Sequence, residues 1–326
     1  MPQLPLFADA DGVDPAAVSD RIRALGAALP SHIHLGTSSW AFPGWTGLVY
    51  APHGNKPAPE QVLARHGLAA YAAHPLLRTV SLDRTFYAPL SIDEFARYAA
   101  QVPDDFRFVV KAPAAITDPV VRKAGSGEAA RDNPSFLDAA AAASAFVGPA
   151  VAGLGAKAGP LVFQFPPLGR RMLADVPRLI ARIAAFMTML PRGPLYAVEV
   201  RDPDLVTAAF ARALATAGAV PCLAMHARMP SVDLQAGTLG VDTPAVGPLV
   251  VRWNLHAGRS YDDAKAGYFP FNRLVDEDLP SRTSLARLAR AVVAANRDVL
   301  ITINNKAEGS APRSVEALAA EIVDGD

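Results

Sequence analysis

The chain of 326 residues has a single cysteine, Cys222, and therefore no internal disulfide. A lone thiol in an apolar run reads as a small core residue, and its isolation suits a reducing, cytoplasmic setting. A charge excess is missing as well. Lys plus Arg and Asp plus Glu are both 31, and charged residues make up only 19%. No global basic field exists to hold nucleic acid non-specifically, so an anion would have to be bound by a local cluster. The opening residues, Met-Pro-Gln-Leu-Pro-Leu-Phe-Ala-Asp, lack the basic region and apolar run of a secretory signal. No apolar stretch looks long enough to span a bilayer, so no membrane role is expected.

What the chain has is apolar material, 51% hydrophobic by composition, which is enough for a large core and too much for disorder. Length alone allows two small domains or one large barrel. The order of elements chooses between them. Residues 1–31 read as an extension with a helical pattern from Pro15 to Leu29, and residues 32–326 as one domain of alternating strands and helices. Strands are expected at Ile33–Ser38, Leu77–Asp83, Phe106–Lys111, Leu161–Gln164, within Leu195–Pro203, and at Val220–Met225, Leu249–Trp253 and Leu300–Asn304. Helical patterns stand between them over Val62–Ala73, Ile92–Gln101, Pro134–Val147, Val176–Met189, Asp204–Ala217 and Arg282–Ala295, with a last one over Val315–Ile322. Eight such strands predict an α/β fold, a closed (β/α)8 TIM-barrel-like cylinder with helices outside. Ala112–Asn133 and Met229–Pro248, rich in breakers, read as long loops.

Chemistry concentrates at the strand ends. In Leu-Tyr-Ala-Val-Glu-Val-Arg-Asp-Pro, residues 195–203, Ala197, Glu199 and Arg201 share one face while Tyr196, Val198 and Val200 share the other. The same test places Asp83 with Ser81, Lys111 with Val109, Gln164 with Val162, Arg252 and Asn254 with Val250, and Asn304 with Thr302. Ser38 and Trp40 end the first strand and His226 the sixth. The active end of such a barrel is the carboxyl end of its strands, and a ring of polar groups there is costly unless it pairs or binds something.

Lys111, Arg201 and Arg252 outnumber Asp83 and Glu199, with Arg84 and Lys306 nearby, which favours an anionic ligand. Glu199 reads as a general acid or base, with Asp83, Arg201 and Lys111 beside it as catalytic candidates. Ser38, Trp40, Tyr87, Gln164, His226, Arg252, Asn254, Asn304, Asn305 and Gly309 read as substrate-binding. Gly309, Ser310 and Pro312 open the last helix, whose free N–H groups make a candidate anion seat. Trp40, Phe42, Trp45, Phe86 and Tyr87 could form an aromatic wall. Each of these has a plainer reading too: a structural Glu199–Arg201 pair, a Lys111 reaching to solvent, a core His226, a plain capped helix, a lid packed on its own barrel. A divalent metal would need Asp83, Glu199 and His226 to converge against competing cations, so no cofactor is expected.

Gln3-Leu4-Pro5-Leu6-Phe7 resembles the short peptide by which bacterial replication and repair proteins hold the sliding clamp; the alternative is an arm that packs on its own domain. Further motifs resemble the YecE-like family, a domain of unknown function. These are Gly36-Thr-Ser-Ser-Trp40 with Trp45, Gly47 and Tyr50-Ala-Pro52; Thr85-Phe86-Tyr87; Phe106-Arg-Phe-Val-Val-Lys111-Ala-Pro113; Gly159-Pro-Leu-Val-Phe-Gln164-Phe-Pro-Pro167; Ala197-Val-Glu199-Val-Arg201; and Asn304-Asn305 with Gly309 and Ala311-Pro312. The resemblance implies a TIM-barrel-like fold and no established activity. This chain departs from it in Val80-Ser-Leu-Asp83, where the family commonly has Val-Glu-Ile-Asn, and in Val251-Arg-Trp-Asn254-Leu-His256, where it often has Val-Arg-Leu-His-Gly. Three functions are open at this point: an enzyme acting on a phosphorylated sugar or nucleotide-derived anion, a DNA-processing enzyme brought to the clamp, and a non-catalytic anion binder.

Overall fold

The computed structural model describes residues 12–52, 54, 56–122, 129–243 and 247–325. The clamp-like residues Gln3, Leu4, Leu6 and Phe7 lie outside the described residues. Ten strands follow in chain order: β1 (Ile33–Thr37), β2 (Thr79–Leu82), β3 (Arg107–Lys111), β4 (Val120–Arg122), β5 (Ala129–Asp132), β6 (Ala158–Gln164), β7 (Tyr196–Glu199), β8 (Ala219–Met225), β9 (Leu249–Trp253) and β10 (Val299–Ile303). All but β4 and β5 close into one parallel barrel in sequential order, with β10 pairing back onto β1. The expected cylinder is therefore present.

Alternation along the strands sorts the core into two layers. Val109, Val162, Ala197, Val220, Cys222, Val250 and Leu300 pack together inside the cylinder. The intervening residues, among them Val110, Phe163, Val198, Val251 and Ile301, join the layer beneath the helices. Cys222 is thus part of the barrel filling, and burial pushes its thiol pKa well up, which leaves it inert.

The helices obey local rules. Ile92–Ala99 starts in a capping box, Ser91 with Glu94. Ala208–Ala217 starts where the Thr207 hydroxyl accepts the Phe210 N–H and ends at Gly218, φ +78°. Val176–Thr188 buries Leu179, Ile180, Ile183, Phe186 and Met187, a stripe at helical spacing. Before the barrel, Asp20–Ala28 lies against the last helix, Ala311–Asp324, and Arg78 at the start of β2 donates to the carbonyls of Gly26 and Leu29.

Five expectations need correction. Residues 112–133 are not a plain loop: they hold the short helix Ala114–Thr117 and the antiparallel β4–β5 pair. Residues 229–248 contain the helix Val232–Leu239, tied down by Gln235, whose side chain bonds both the N–H (3.1 Å) and the carbonyl (3.0 Å) of Ala224 on β8. The helix expected over residues 62–73 breaks at Gly67, where the chain passes so close to the Leu63 carbonyl that a Cβ would sit 2.6 Å from it.

The helix expected from Pro134 begins at Ala139, after the Asp138 cap, and continues through a π turn, Ala143–Val147, to Leu154. The turn sits just before Pro149, which has no N–H to give back. The helical run Ala139–Lys157 is, by length and composition, long and apolar enough to cross a membrane, contrary to the expectation from sequence. Its composition has a local use. Ala142, Phe146, Ala150 and Leu154 are buried against the barrel, and the Phe146 ring meets Phe163 edge-on at 5.7 Å.

Candidate functional site at the carboxyl end of the barrel

Glu199 is the last residue of β7, points into the cylinder and is fully buried. Its Oε1 lies 2.5 Å from an Arg201 guanidinium nitrogen and its Oε2 accepts a 2.7 Å hydrogen bond from Arg252. Arg252 comes from β9, is 2% exposed, and sends its other terminal nitrogen to both oxygens of Asp83, each at 2.8 Å. The Ser81 hydroxyl donates to Asp83 Oδ1 at 2.6 Å. Strands β7, β9 and β2 are not neighbours in the barrel, so this relay of alternating charge, Arg201–Glu199–Arg252–Asp83, crosses the cylinder and floors its mouth.

Burial pushes the Glu199 pKa up, but Arg201 and Arg252 overcome it and hold the carboxyl below its ordinary range. Burial pulls Arg252 down, and Asp83 and Glu199 more than reverse it. With both oxygens engaged by guanidinium groups, Glu199 stays ionised and orients the two arginines. The general acid or base role expected for it does not fit this geometry.

Two lysines stand apart from the relay. Lys111, at the end of β3, has its Nζ 3.7 Å from the centre of the Phe86 ring. Lys306, three residues past β10, has its Nζ 4.4 Å from the centre of the Tyr261 ring. Among the described residues neither ammonium has a carboxylate within ion-pair distance. Burial pulls each down to about 8, helped by Arg252 at Lys111 and by Lys265 at Lys306. His226, half-buried beyond β8, is pulled down to about 4 by burial and by Arg201, which keeps its imidazole neutral.

A family model described as "Protein of unknown function DUF72" matches residues 34–325. The chain belongs to the DUF72 family. It is similar to the solved structure of a DUF72 family protein from Enterococcus faecalis, at 17% identity and a TM-score of 0.60, covering 90% of this chain and 96% of that one. A DUF72 family protein from Thermotoga maritima is similar at 15% identity and a TM-score of 0.56, covering 90% and 99%. At such identities the likeness shows the fold alone. No curated protein matches the chain.

In this DUF72 chain the expected ring is brought together in part. Asp83, Lys111, Glu199, Arg201 and Arg252 converge; His226 faces Arg201, and Gln164, buried at the end of β6, pairs in register with Glu199. Ser38 is buried at the mouth, its hydroxyl without a hydrogen-bond partner among the described residues. Asn254 turns back to its own strand, donating to the Arg252 carbonyl at 3.1 Å, and Asn304 accepts the Lys306 N–H at 3.0 Å.

Other candidates are elsewhere or otherwise employed. Trp40 is buried, and its indole donates to the Leu63 carbonyl at 3.0 Å; Trp45 donates to Asn305 Oδ1 at 3.2 Å. These two are core, so they form no aromatic wall. Tyr87 is 86% exposed, outside the ring. Asn305 also accepts the Ala311 N–H at 2.8 Å, and Gly309, φ +117°, lets residues 273–275 pass where a Cβ would sit 2.7 Å from the Arg273 carbonyl oxygen. The last helix therefore starts inside packed protein, with Gly309, Ser310, Ala311 and Pro312 all buried, and offers no open anion seat.

The sequence reading puts Ser81 on the face of Asp83 and Lys306 near the ring without making either a site residue; the structure brings Ser81 onto Asp83 and Lys306 onto Tyr261. Phe86, expected in an aromatic wall, instead lies against Lys111, and Tyr261 lies in the segment after β9, where no strand period points at it. Among the described residues no group of three or more His, Cys, Asp or Glu side chains could hold a metal ion.

Proposed function

We infer that this protein is an enzyme acting on a small phosphorylated or carboxylated anion held at the carboxyl end of the barrel. One observation carries the reading: Lys111 and Lys306 are two cations at the mouth with no carboxylate partner, above a floor whose own charges cancel. A desolvated cation left unpaired is an expense that an anionic ligand relieves. Arg201, fixed by Glu199 and 12% exposed, is pre-organised and adds hydrogen-bond donors. Neutral His226, within electrostatic reach of Arg201, is the candidate proton acceptor.

The test is thermal unfolding with and without sulfate, whose charge does not change near neutrality. Sulfate should raise the melting temperature at pH 7, and Lys111→Met and Lys306→Met should each cut that rise. Both lysines lose their protons near pH 8, so the rise should fade as pH passes from 7 to 9. A sulfate effect unchanged in both variants would reject the anion reading.

A further inference from the structure

The chain carries 25 arginines and only six lysines, Lys56, Lys111, Lys123, Lys157, Lys265 and Lys306, yet two of the six stand at the mouth of the barrel. For holding an anion, arginine is the better side chain, and this sequence uses it freely. Lysine differs in having an amine that can give up its proton and act as a nucleophile.

Lys111 has the setting for that. It ends a rigid barrel strand, its Nζ makes no hydrogen bond or ion pair among the described residues, and an aromatic ring lies against it. It faces Arg252 and Arg201, like charges that favour the neutral amine, and Glu199 and Asp83 are already bound to those arginines. Arg201 is the more exposed of the two arginines, 12% against 2%, and a single terminal nitrogen binds Glu199, so it is the one that can receive a carboxylate. A molecule with a carbonyl next to its carboxylate, seated on Arg201, would bring that carbonyl to the lysine.

Resting on the anion-binding reading above, we propose that Lys111 forms an imine with a 2-oxo acid at this site. The amine nitrogen adds to the carbonyl carbon and one N–H proton passes to the former carbonyl oxygen. That oxygen takes a second proton from solvent and leaves as water as the C–O bond breaks and the C=N bond forms, so the nitrogen keeps one hydrogen and the product is an iminium. No oxidant or reductant is consumed. The iminium draws electrons from the adjoining carbon, so the site suits making or breaking a C–H or C–C bond there.

Lys306 is the internal control. It shares the low pKa, but it is nearly buried in a turn held by Asn304 and His256, and it faces Lys265 rather than the arginine pair. With a pKa of about 8, Lys111 has roughly two hundredfold more free amine near pH 7.5 than an ordinary lysine.

The full chain is incubated with glyoxylate or pyruvate and sodium cyanoborohydride, which reduces an imine to a stable amine, and the modified lysines are mapped by peptide mass spectrometry. Attachment at Lys111 about tenfold or more above every other lysine is expected. Lys111→Arg should lose it, because a guanidinium does not form the imine. Attachment spread evenly over the lysines, or favouring Lys306, overturns the proposal. So does an unmodified Lys111 in protein that sulfate still stabilises, and that result leaves anion binding standing. No modification and no sulfate effect together overturn both.

Discussion

Glu199 is the residue on which the floor of the mouth depends, because it is the buried counter-charge of two arginines. From sequence, replacing it by Gln is expected to spare the fold and remove only chemistry. The structure reverses the weight. Glu199→Gln strands Arg201 and Arg252 in a buried site with one carboxylate fewer, and should cost about 3–5 kcal/mol of unfolding free energy in a denaturant titration. Lys111 should behave in the opposite way. Its folded pKa is depressed, so between about 8 and its ordinary value near 10.5 the unfolded chain binds more protons, and wild-type stability gains on that of Lys111→Met as pH rises through this window. A stability gap flat from pH 7 to 10 would contradict the burial of Lys111. Asp83, Lys111, Glu199, Arg201 and Arg252 were legible because each sits at a strand end in the inward phase. Trp40, Tyr87, Asn305 and Gly309 were misassigned because nearness to a strand exit does not say whether a side chain turns to the mouth, the core or the surface.

At the scale of elements, the barrel strands were legible from their apolar runs, while the helix Val232–Leu239 and the β4–β5 pair were hidden among Gly and Pro signals. Local pattern reports breakers, and short elements between breakers are held by partners far off in sequence, as Gln235 is by Ala224. β1 shows how narrow the tolerance of a strand can be. Gly36 pairs with Thr79 of β2, and a Cβ on it would sit 1.8 Å from the Thr79 carbonyl oxygen. Gly36→Ala should therefore part β1 from β2 and leave little folded protein, read by circular dichroism and solubility. A variant with wild-type melting behaviour would mean that the two strands are less closely joined than described.

At the scale of the whole molecule, the segment before β1 acts as a brace that meets both the start of β2, through Arg78, and the loop after β1, through Asp14 and Ala16. Leu25 and Leu29 are buried, Ala51 donates its N–H to the Asp14 carbonyl, and Arg78 depends on carbonyls of this segment. A chain beginning at Pro30 should lose about 3 kcal/mol or more of stability, since two leucines and several hydrogen bonds go with it. Sulfate should still raise its melting temperature, because among the described residues no hydrogen bond or ion pair of this segment reaches Lys111, Arg201, Arg252 or Lys306. Loss of the sulfate effect would show that the brace also shapes the site.

The sequence by itself determined the class of fold and the inward phase of each strand, because a period of two and alternation with helices are local properties of the chain. It also placed charge of both signs at the strand ends. Only the tertiary structure decided how those charges are shared. Closure of the cylinder brings β2, β7 and β9 within hydrogen-bond reach across the axis, so Arg252 can neutralise Asp83 and Glu199 together and leave Lys111 and Lys306 unpaired. Which cation meets which carboxylate depends on strand stagger and barrel diameter, and no single segment of the chain carries that information.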